Sequence, residues 1–518
     1  MQAAVSLQSE VERFVSAPVR KMLIDGKWVE AASGKTFETP NPATGEVLAR
    51  VAEGGAEDVE RAVRAARRAF DEGRWPHVPP PERERFLLKV ADLIETHADE
   101  LAQLETLDNG KPFMESRHVD IPAAAATFRY YAGWVSKIYG ETNPSDEAYF
   151  NFTLREPVGV CGQIIPWNFP LLMAAWKLGP ALACGNTSVL KPAEQTPLTA
   201  LRLGELLLEA GLPDGVVNIV PGFGETAGRA IVRHPMVDKI AFTGSTEVGK
   251  EIHRETSGTL KRVSLELGGK SPNIVFSDAD TEAAVQGALL GVFFCAGQVC
   301  CAGTRLFVEQ KMHDQFADAL AKNAGGMKQG NPFDPDTRVG PLVSKEQLDR
   351  VTGYLDAGKK EGAKAVIGGE RNTAKGLEKG YFVKPTVFTG VRNDMKIARE
   401  EIIGPMVSVI PLKDEHDAVL QGNDTTYGLA AGIWTRDVSK AHRVARALRA
   451  GTVWINCYNV FDPAAPNARA FRKTPPTLSG FVTPSSPTRR RRPPGATSGS
   501  IPKSGGRSPA ARQPRWKW

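Results

Sequence analysis

The spacing of hydrophobic residues divides the first part of the chain into turn-rich and helical stretches. Residues 22–51 place short apolar runs between turn residues, which predicts a β-hairpin. Apolar residues then recur at helical spacing over residues 56–71, 81–107 and 122–138, which predicts amphipathic helices. Residues 149–155 follow a polar stretch and predict one strand of a small accessory hairpin.

From residue 158 onwards, short β-branched runs alternate with helical patterns. The runs end at Ile165, Leu190, Val220, Phe242 and Phe276. Most are followed by a turn and a helical pattern, as at residues 197–210 and 225–233. Repeated strand–helix units indicate an α/β fold with a parallel sheet and helices on its faces. Since ligands of such sheets bind beyond the carboxyl ends of the strands, the motifs at those ends are the candidates for chemistry.

The composition changes after Pro466. Residues 467–518 contain nine prolines, twelve Lys or Arg residues and no Asp or Glu, and they lack apolar periodicity, which predicts disorder. This tail is either a basic arm for nucleic acid or an anionic membrane, or a tail without a selected role, for example from a change of reading frame. The whole chain has a net charge of +6, so residues 1–466 carry −6 (53 basic against 59 acidic residues). A mildly acidic body argues against nucleic acid as its partner.

The six cysteines are too sparse in 518 residues for a disulfide framework, and their spacing is not that of a zinc site. We therefore expect reduced thiols in a cytoplasmic compartment, and no metal. No apolar run is long enough to span a bilayer, so no membrane partner is expected. The first twenty residues carry Glu10 and Glu12 without the apolar core of a signal peptide.

Two strand-end motifs carry polar side chains that suit ligand binding. In PWNFP, residues 166–170, the amide of Asn168 offers neutral donors for an oxyanion, although a turn asparagine is the simpler explanation of that motif alone. In KPAEQTP, residues 191–197, Lys191 and Glu194 follow a strand. An acidic residue there can hold the ribose hydroxyls of an adenosine, and an ordinary charged loop is the alternative.

Two glycine-rich turns follow further along the chain. FTGSTEVGK, residues 242–250, contains GxxxxGK, but the next residue is Glu251, where a nucleotide-hydrolysing P-loop needs Ser or Thr. A strand, a glycine turn and a helix N-terminus remain, and their free amides can hold a phosphate. PGFGETAG, residues 221–228, has GxGxxxG spacing and is not the usual dinucleotide fingerprint, so each glycine set alone is weak evidence.

The most informative feature is a pair of motifs near the middle of the chain. GQVCCAG, residues 297–303, places Cys300 and Cys301 between small residues, and ELGGKSP offers Glu266 beside two glycines. A thiol and a carboxylate in glycine-lined backbone suit nucleophilic catalysis through a thioester. Taken singly, a small buried cysteine and a solvated or salt-bridged glutamate are the better explanations. The order of all the motifs along one sheet favours catalysis.

Eight motifs in register carry a resemblance to a known family. They are TLDNGKP, EPVGVCGQIIPWNFP, KPAEQTPLTAL, FTGSTEVGK, LELGGKSPNIVFSDAD, GQVCCAGTR, EEIIGP and AGTVWINCY. From residue 22 to residue 466 the chain resembles the aldehyde dehydrogenase superfamily, and it is most similar to the NAD-dependent aldehyde and retinaldehyde dehydrogenases. The resemblance implies oxidation of an aldehyde to the carboxylic acid with NAD⁺, through a cysteine thiohemiacetal and a thioester.

The resemblance also implies the architecture. A Rossmann-like parallel-sheet domain that binds NAD would comprise residues 18–137 and 158–267, and an α/β catalytic domain residues 268–466. Residues 138–157 would form a hairpin for homodimer or homotetramer formation, followed at the end by the basic tail of residues 467–518. In the family, a final strand pairs with that hairpin, and here the tail replaces it.

By resemblance, Cys300 is the nucleophile, Glu266 the general base and Asn168 the oxyanion donor. The expected cofactor-binding residues are Ile165, Trp167, Lys191, Glu194, Gly224, Gly228, Gly244, Ser245, Gly268 and Glu401. An apolar substrate tunnel would be lined by Phe169, Met173, Trp176, Val299, Cys301 and Phe461. NAD is favoured over NADP, because Glu194 would repel a 2′-phosphate.

The chain departs from the family pattern at two places. Ile403 stands where the family usually has Phe, and Asn467 stands where an aromatic residue of the substrate pocket is expected. Two alternatives to an active dehydrogenase therefore stay open: an impaired or non-catalytic member of the same fold, and a cysteine hydrolase with a histidine base.

Overall fold

The computed structural model describes residues 6–465, so Pro466 and the predicted basic tail lie outside the described part. The strands are β1 (Met22–Ile24), β2 (Lys27–Val29), β3 (Thr36–Pro40), β4 (Val47–Ala52), β5 (Thr142–Asn143), β6 (Asn151–Phe152), β7 (Val160–Ile164), β8 (Thr187–Lys191), β9 (Val217–Ile219), β10 (Lys239–Thr243), β11 (Arg262–Glu266), β12 (Pro272–Val275), β13 (Arg305–Glu309), β14 (Lys364–Ile367), β15 (Thr386–Thr389), β16 (Met406–Leu412), β17 (Ala430–Trp434) and β18 (Thr452–Ile455).

The α-helices are α1 (Ser9–Val15), α2 (Ala56–Asp71), α3 (Pro80–Thr96), α4 (Ala98–Asn109), α5 (Phe113–Glu115), α6 (Ile121–Ala132), α7 (Pro170–Ala183), α8 (Leu198–Ala210), α9 (Arg229–Arg233), α10 (Thr246–Thr256), α11 (Thr281–Phe293), α12 (His313–Gly325), α13 (Lys345–Lys360), α14 (Lys396–Arg399), α15 (Glu415–Asn423) and α16 (Val438–Ala447). Short π-helical turns at Ser116–Asp120 and Gly224–Gly228 and a 3₁₀ turn at Phe294–Gly297 are relevant to the site.

The first sheet has the strand order β11-β10-β7-β8-β9-β1-β2. Its strands β7 to β11 run parallel, whereas β1 and β2 add an antiparallel edge. Since β8 lies on one side of β7 and β10 on the other, the chain reverses its direction of winding at β7. A crevice outside the carboxyl ends of the strands at such a switch point is where ligands of doubly wound sheets bind.

The second sheet has the order β14-β15-β16-β13-β12-β17-β18 and is parallel except for β14. The α/β expectation is confirmed. The two sheets use separate parts of the chain: the strands of the first end at Glu266, and those of the second begin at Pro272. The finer domain boundaries stay a prediction.

Helices cover both faces of the first sheet. One apolar cluster joins β7, β8 and β10 to α2, α9 and α10, and the other joins β8 and β9 to α3, α4, α6, α7 and α8. A parallel sheet buried on both faces explains why its strands read as continuous apolar runs. Among residues 6–465, no helix is long and apolar enough to cross a membrane.

The structure corrects the sequence-based elements in two places. Residues 22–51 form two hairpins, β1–β2 and β3–β4, because Asp25 and Gly26 both have positive φ (54° and 72°) and close a two-residue turn. The helix predicted over residues 81–107 is divided at His97, whose ring pairs with Glu100 in the first turn of α4 (2.8 Å). The accessory hairpin is present as the pair β5–β6.

Candidate active site

Lys191 and Glu194 lie at the carboxyl end of β8, beside the end of β7. The buried ammonium of Lys191 donates to the carboxylate of Glu194 (3.0 Å), and the backbone N–H of Ile165 donates to the carbonyl oxygen of Lys191 (3.1 Å). Burial lowers the pKa of Lys191, and the charge of Glu194 opposes this effect. A Cβ added to Gly228 would lie 3.8 Å from the Lys191 side chain, so the Gly224–Gly228 turn also lies against this strand end.

Ser245 caps the N-terminus of α10 directly after β10. Its Oγ accepts a hydrogen bond from the backbone N–H of Val248 (3.3 Å). A Cβ on Gly244, the residue before Ser245, would lie 2.5 Å from the ring of Phe242, so a larger residue there would displace that ring. The turn therefore leads the chain into a helix N-terminus, where unpaired backbone N–H groups favour a phosphate.

Trp167 and Gly224 complete the predicted cofactor edge. The carbonyl oxygen of Trp167 accepts from the Asn109 amide (2.9 Å) and from the hydroxyl of Thr196 (3.2 Å), so the PWNFP and KPAEQTP motifs are directly connected. A Cβ on Gly224 would meet no atom of residues 6–465 within 4 Å, so these residues leave space on that side of the turn.

Glu266 is the last residue of β11, beside Thr243 of β10. Burial raises the pKa of its carboxyl group to about 7, and the positive charge of Lys177 on α7 opposes the rise. Burial in turn lowers the pKa of Lys177 to about 8. A carboxyl group that titrates near neutral pH is suited to accept a proton from water.

The loop before Cys300 has an unusual backbone. Cys295, Ala296 and Gly297 all have positive φ (51°, 52° and 73°), a conformation that costs roughly 1–2 kcal/mol for each residue other than glycine. On the other side of Cys300, a Cβ on Gly269 would lie 2.5 Å from the Cys300 carbonyl oxygen. The glycine thus allows the ELGG segment after Glu266 to approach the backbone of Cys300.

The two adjacent thiols differ in environment. Cys300 is partly exposed, whereas Cys301 is buried, and the Sγ of Cys301 lies 3.5 Å from Oδ1 of Asn459. The pKa of Cys301 is raised well above its ordinary value by its hydrogen bond with Cys300 and then by burial. A thiolate nucleophile needs access to its substrate, and this favours Cys300 over its neighbour.

Asn168 is nearly buried and points to the loop that carries Cys300. Its Nδ2 donates to the carbonyl oxygen of Gln298 (2.9 Å), two residues before Cys300. Because a carbonyl oxygen only accepts, this bond fixes which end of the Asn168 amide is the donor, and the second N–H of Nδ2 is left for a ligand. The backbone oxygen of Asn168 accepts from Lys111 (3.0 Å). The three residues predicted to be catalytic are thus on segments that touch one another.

Glu401 lies against the same glycine pair. Its Oε1 accepts from the backbone N–H of Gly269 (3.0 Å), and a Cβ on Gly268 would lie 1.8 Å from Oε2. Burial raises the pKa of Glu401 to about 7. The predicted cofactor residues Gly268 and Glu401 are therefore in contact, next to Cys300.

Aromatic side chains line the side predicted to hold the substrate. Phe461 packs against Trp176 (6.2 Å between ring centroids) and edge-on against Trp454 (5.6 Å), and Phe169 stacks on Phe294 (6.1 Å). The other predicted pocket residues are buried: Met173, Val299 and Cys301. Trp454 was not in the predicted set. Its place in the AGTVWINCY motif is the only feature of the sequence that pointed to it.

Sequence reasoning missed the residues that hold the Glu401 loop from α13. Gln347 donates to the carbonyl oxygens of Ile402 and Ile403 (2.9 and 2.6 Å), and Arg350 donates to that of Glu401 (2.8 Å). The loop needs such support, because Ile403 is a β-branched residue with φ of 60°. No local pattern could have identified these side chains, since they lie about fifty residues from their partners.

The comparisons with known proteins agree with this geometry. The sequence model of the aldehyde dehydrogenase family matches residues 28–468. The human mitochondrial aldehyde dehydrogenase is 53% identical over 448 residues, which is 86% of this chain and 86% of that protein. Human retinal dehydrogenase 2 is 51% identical over 450 residues, again 86% of each chain. The NAD⁺ complex of an aldehyde dehydrogenase from Bacillus cereus superposes with a TM-score of 0.88 at 53% identity, covering 90% of this chain and 94% of that one.

A match over most of the chain confirms the resemblance seen in the motifs. The protein belongs to the aldehyde dehydrogenase family.

Proposed function

We propose that the protein oxidises an aldehyde to a carboxylic acid with NAD⁺ as the electron acceptor, with Cys300 as the nucleophile. The observation that carries this proposal is the meeting of three segments at the backbone around Cys300. Gly269 adjoins the backbone of Cys300, and Asn168 donates to Gln298 in the same loop. A nucleophile, a base and an oxyanion donor within one site are what acyl chemistry needs.

The residues present fit NAD. The N-terminus of α10 suits a pyrophosphate, and the pair formed by Lys191 and Glu194 suits the hydroxyls of an adenosine ribose. The negative charge of Glu194 disfavours a 2′-phosphate, and Glu401 would hold the second ribose. NAD⁺, when bound, supplies the acceptor for the hydride that leaves the aldehyde carbon. An NAD⁺ complex of a relative is consistent with this cofactor.

The chain's own residues perform the remaining steps. The thiolate of Cys300 attacks the aldehyde carbon, and the oxyanion receives hydrogen bonds from the Asn168 side chain and the Cys300 backbone N–H. After the carbon is oxidised to a thioester of Cys300, Glu266 removes a proton from water, and the resulting attack releases the acid and regenerates the thiol. The raised pKa of Glu266, about 7, makes its carboxylate a base of useful strength.

The aromatic lining favours apolar aldehydes, aliphatic or aromatic, over strongly charged ones. Phe461, Trp176 and Trp454 provide ring faces and edges, and Trp454 packs on Tyr458, whose hydroxyl donates to the carbonyl oxygen of Cys301 (2.8 Å). The substrate of human retinal dehydrogenase 2, by its name, has this chemistry. We also infer a homo-oligomer, since the β5–β6 hairpin exposes Tyr149, Phe150 and Phe152. A cytoplasmic location stays a prediction, and the human relative at 53% identity is named as mitochondrial.

The test is NADH absorbance with NAD⁺ and a panel of aldehydes, using the wild type, Cys300→Ala and Cys184→Ser as a thiol control. We expect turnover with the wild type and the control and none with Cys300→Ala. Undiminished turnover of Cys300→Ala would refute the assignment. The same assay separates the dehydrogenase from both alternatives, because neither a cysteine hydrolase nor a non-catalytic member of the fold would form NADH.

A further inference from the structure

The TLDNGKP motif takes no part in the chemistry described above. Its Lys111 nevertheless places a buried ammonium group against the backbone of Asn168. The Lys111 side chain is fully buried, and its Nζ donates to Asp120 (2.5 Å) and Glu105 (3.4 Å), whose side chains are also fully buried. Two carboxylates hold the ammonium in one place, since an unpaired buried charge would be costly. Lys111 also contacts the PWNFP motif: it donates to the Asn168 carbonyl oxygen (3.0 Å) and lies 4.4 Å from the ring centre of Phe169.

Glu105 also reaches the start of the next helix. Its second oxygen accepts from the backbone N–H of Leu171 (3.4 Å). The chain from Asn168 to Leu171 is therefore held at both ends by the group formed by Glu105, Lys111 and Asp120. The Asn168 side chain therefore has little freedom to move relative to that group. Its backbone carbonyl oxygen is held by Lys111, and its Nδ2 is held by the carbonyl oxygen of Gln298 (2.9 Å).

Glu115, four residues after Lys111, supports the loop that leads to Cys300. Its Oε2 accepts from the backbone N–H of Cys295 (2.9 Å), the first of the three residues with positive φ before Cys300. The Oε1 of Gln298 accepts from Val343 (2.9 Å) on the far side of the same loop. The loop is thus held on one side by Glu115 and on the other, through its own Gln298, by the backbone of Val343, and Cys300 lies two residues after Gln298.

We propose that Lys111 and Glu115 are positioning residues for the oxyanion hole, Lys111 for the Asn168 donor and Glu115 for the Cys300 backbone donor. The proposal rests on the proposed function for its catalytic consequence, and the geometry alone carries the positioning of the two loops. A donor displaced by about 1 Å costs roughly 100-fold in rate. Neither side chain touches the substrate, so the effect falls on the rate of the acylation step and leaves the affinity for NAD⁺ and for aldehyde unchanged.

The experiment compares Glu115→Ala, which removes the acceptor for the Cys295 N–H, with Glu115→Gln, which keeps an acceptor oxygen. Asp108→Asn is the matched control, because Asp108 is buried in the same segment but, among the described residues, accepts its hydrogen bonds from Leu198 and Thr39. The first measurement is single-turnover NADH formation by stopped flow, with KM for the aldehyde and Kd for NAD⁺. We expect a loss of about 100-fold in rate for Glu115→Ala, and changes of less than about threefold for Glu115→Gln, Asp108→Asn and both binding constants.

The second measurement is the rate at which iodoacetamide alkylates Cys300, followed by peptide mass spectrometry. It does not depend on dehydrogenase activity, so it separates this proposal from the proposed function. We expect Glu115→Ala to change that rate at least about threefold and Glu115→Gln to leave it unchanged. A wild type without NADH formation but with this alkylation pattern would refute the function and support the positioning.

Lys111→Met serves as the variant for the other half of the hole and is expected to show the same loss of rate with unchanged binding constants. If Lys111→Met fails to fold, the comparison of Glu115→Ala with Glu115→Gln decides the test. Equal effects of Glu115→Ala and Glu115→Gln, or single-turnover and alkylation rates of Glu115→Ala within about threefold of the wild type, would overturn the proposal.

Discussion

Replacement of Asn168 by Ala is the sharpest test of the oxyanion hole. The amide of Asn168 has two N–H donors, and one of them is used by the carbonyl oxygen of Gln298 at 2.9 Å. Only the second is available to the reaction, so the substitution removes one of two oxyanion donors, the other being the Cys300 backbone N–H. The loss of one such donor costs about 3–4 kcal/mol of barrier, which corresponds to roughly 100- to 1000-fold in rate.

The cost in stability should be much smaller than the cost in catalysis. The lost bond to Gln298 contributes about 1 kcal/mol net, and the backbone bond from Lys111 to Asn168 does not depend on the side chain. The variant should therefore fold and bind NAD⁺ normally. This separates a catalytic defect from a general one.

Stopped-flow NADH formation in a single turnover, at saturating NAD⁺ and aldehyde, measures the affected step. Asn168→Asp is the matched variant, because it keeps the size of the side chain but replaces the donor with a group that repels an oxyanion. Its rate should fall at least as far as that of the alanine variant. A single-turnover rate for Asn168→Ala within about threefold of the wild type would refute the reasoning.

Four further outcomes are expected. Glu266→Gln should still form the thioester but fail to hydrolyse it, so mass spectrometry should detect an acylated Cys300, and unacylated protein after turnover would contradict the role of Glu266. Because burial raises the pKa of Glu266 to about 7 and only its carboxylate is a base, hydrolysis of the thioester should be slow below about pH 6 and rise with pH through about 7. Lys177→Met removes the charge that lowers the pKa of Glu266, so the midpoint of that profile should move to higher pH, and a shift in the opposite direction would be inconsistent with the pairing. Gly269→Ala places a Cβ 2.5 Å from the Cys300 carbonyl oxygen, and the displaced backbone should lower the single-turnover rate by roughly 100-fold.

The spacing of hydrophobic residues was sufficient to predict those helices and strands whose limits depend only on their own residues. Helix α2 begins and ends where its apolar spacing does, at Ala56 and Asp71, and the predicted strand ends fall within one residue of β7 to β10 and of β12. The strand-end motifs were recognised because parallel strands bring their carboxyl ends to one edge. The break at His97 was missed, because no Pro or Gly marks it and the helical spacing continues through it.

The residues that could not be predicted act across the fold. Lys177 lies in an apolar helix, where a lysine has no evident partner in the sequence, and only the fold brings its charge close enough to act on Glu266. Gln347 and Arg350 read as ordinary polar positions of a helix, since their bonds are to the backbone of a distant loop. Long-range contacts of this kind leave no periodic trace.

The strain in the loop before Cys300 indicates which substitutions should impair catalysis most easily. Cys295 and Ala296 together carry about 2–4 kcal/mol of left-handed strain, which is a large share of the 5–15 kcal/mol that stabilise a typical domain. Glu115 accepts a hydrogen bond from the Cys295 backbone N–H and Gln298 donates one to the Cys295 carbonyl oxygen, so side chains that never meet the substrate hold the loop against that strain. Substitutions at these supports should therefore impair catalysis before they unfold the protein, because the loop can relax locally while both sheets remain intact.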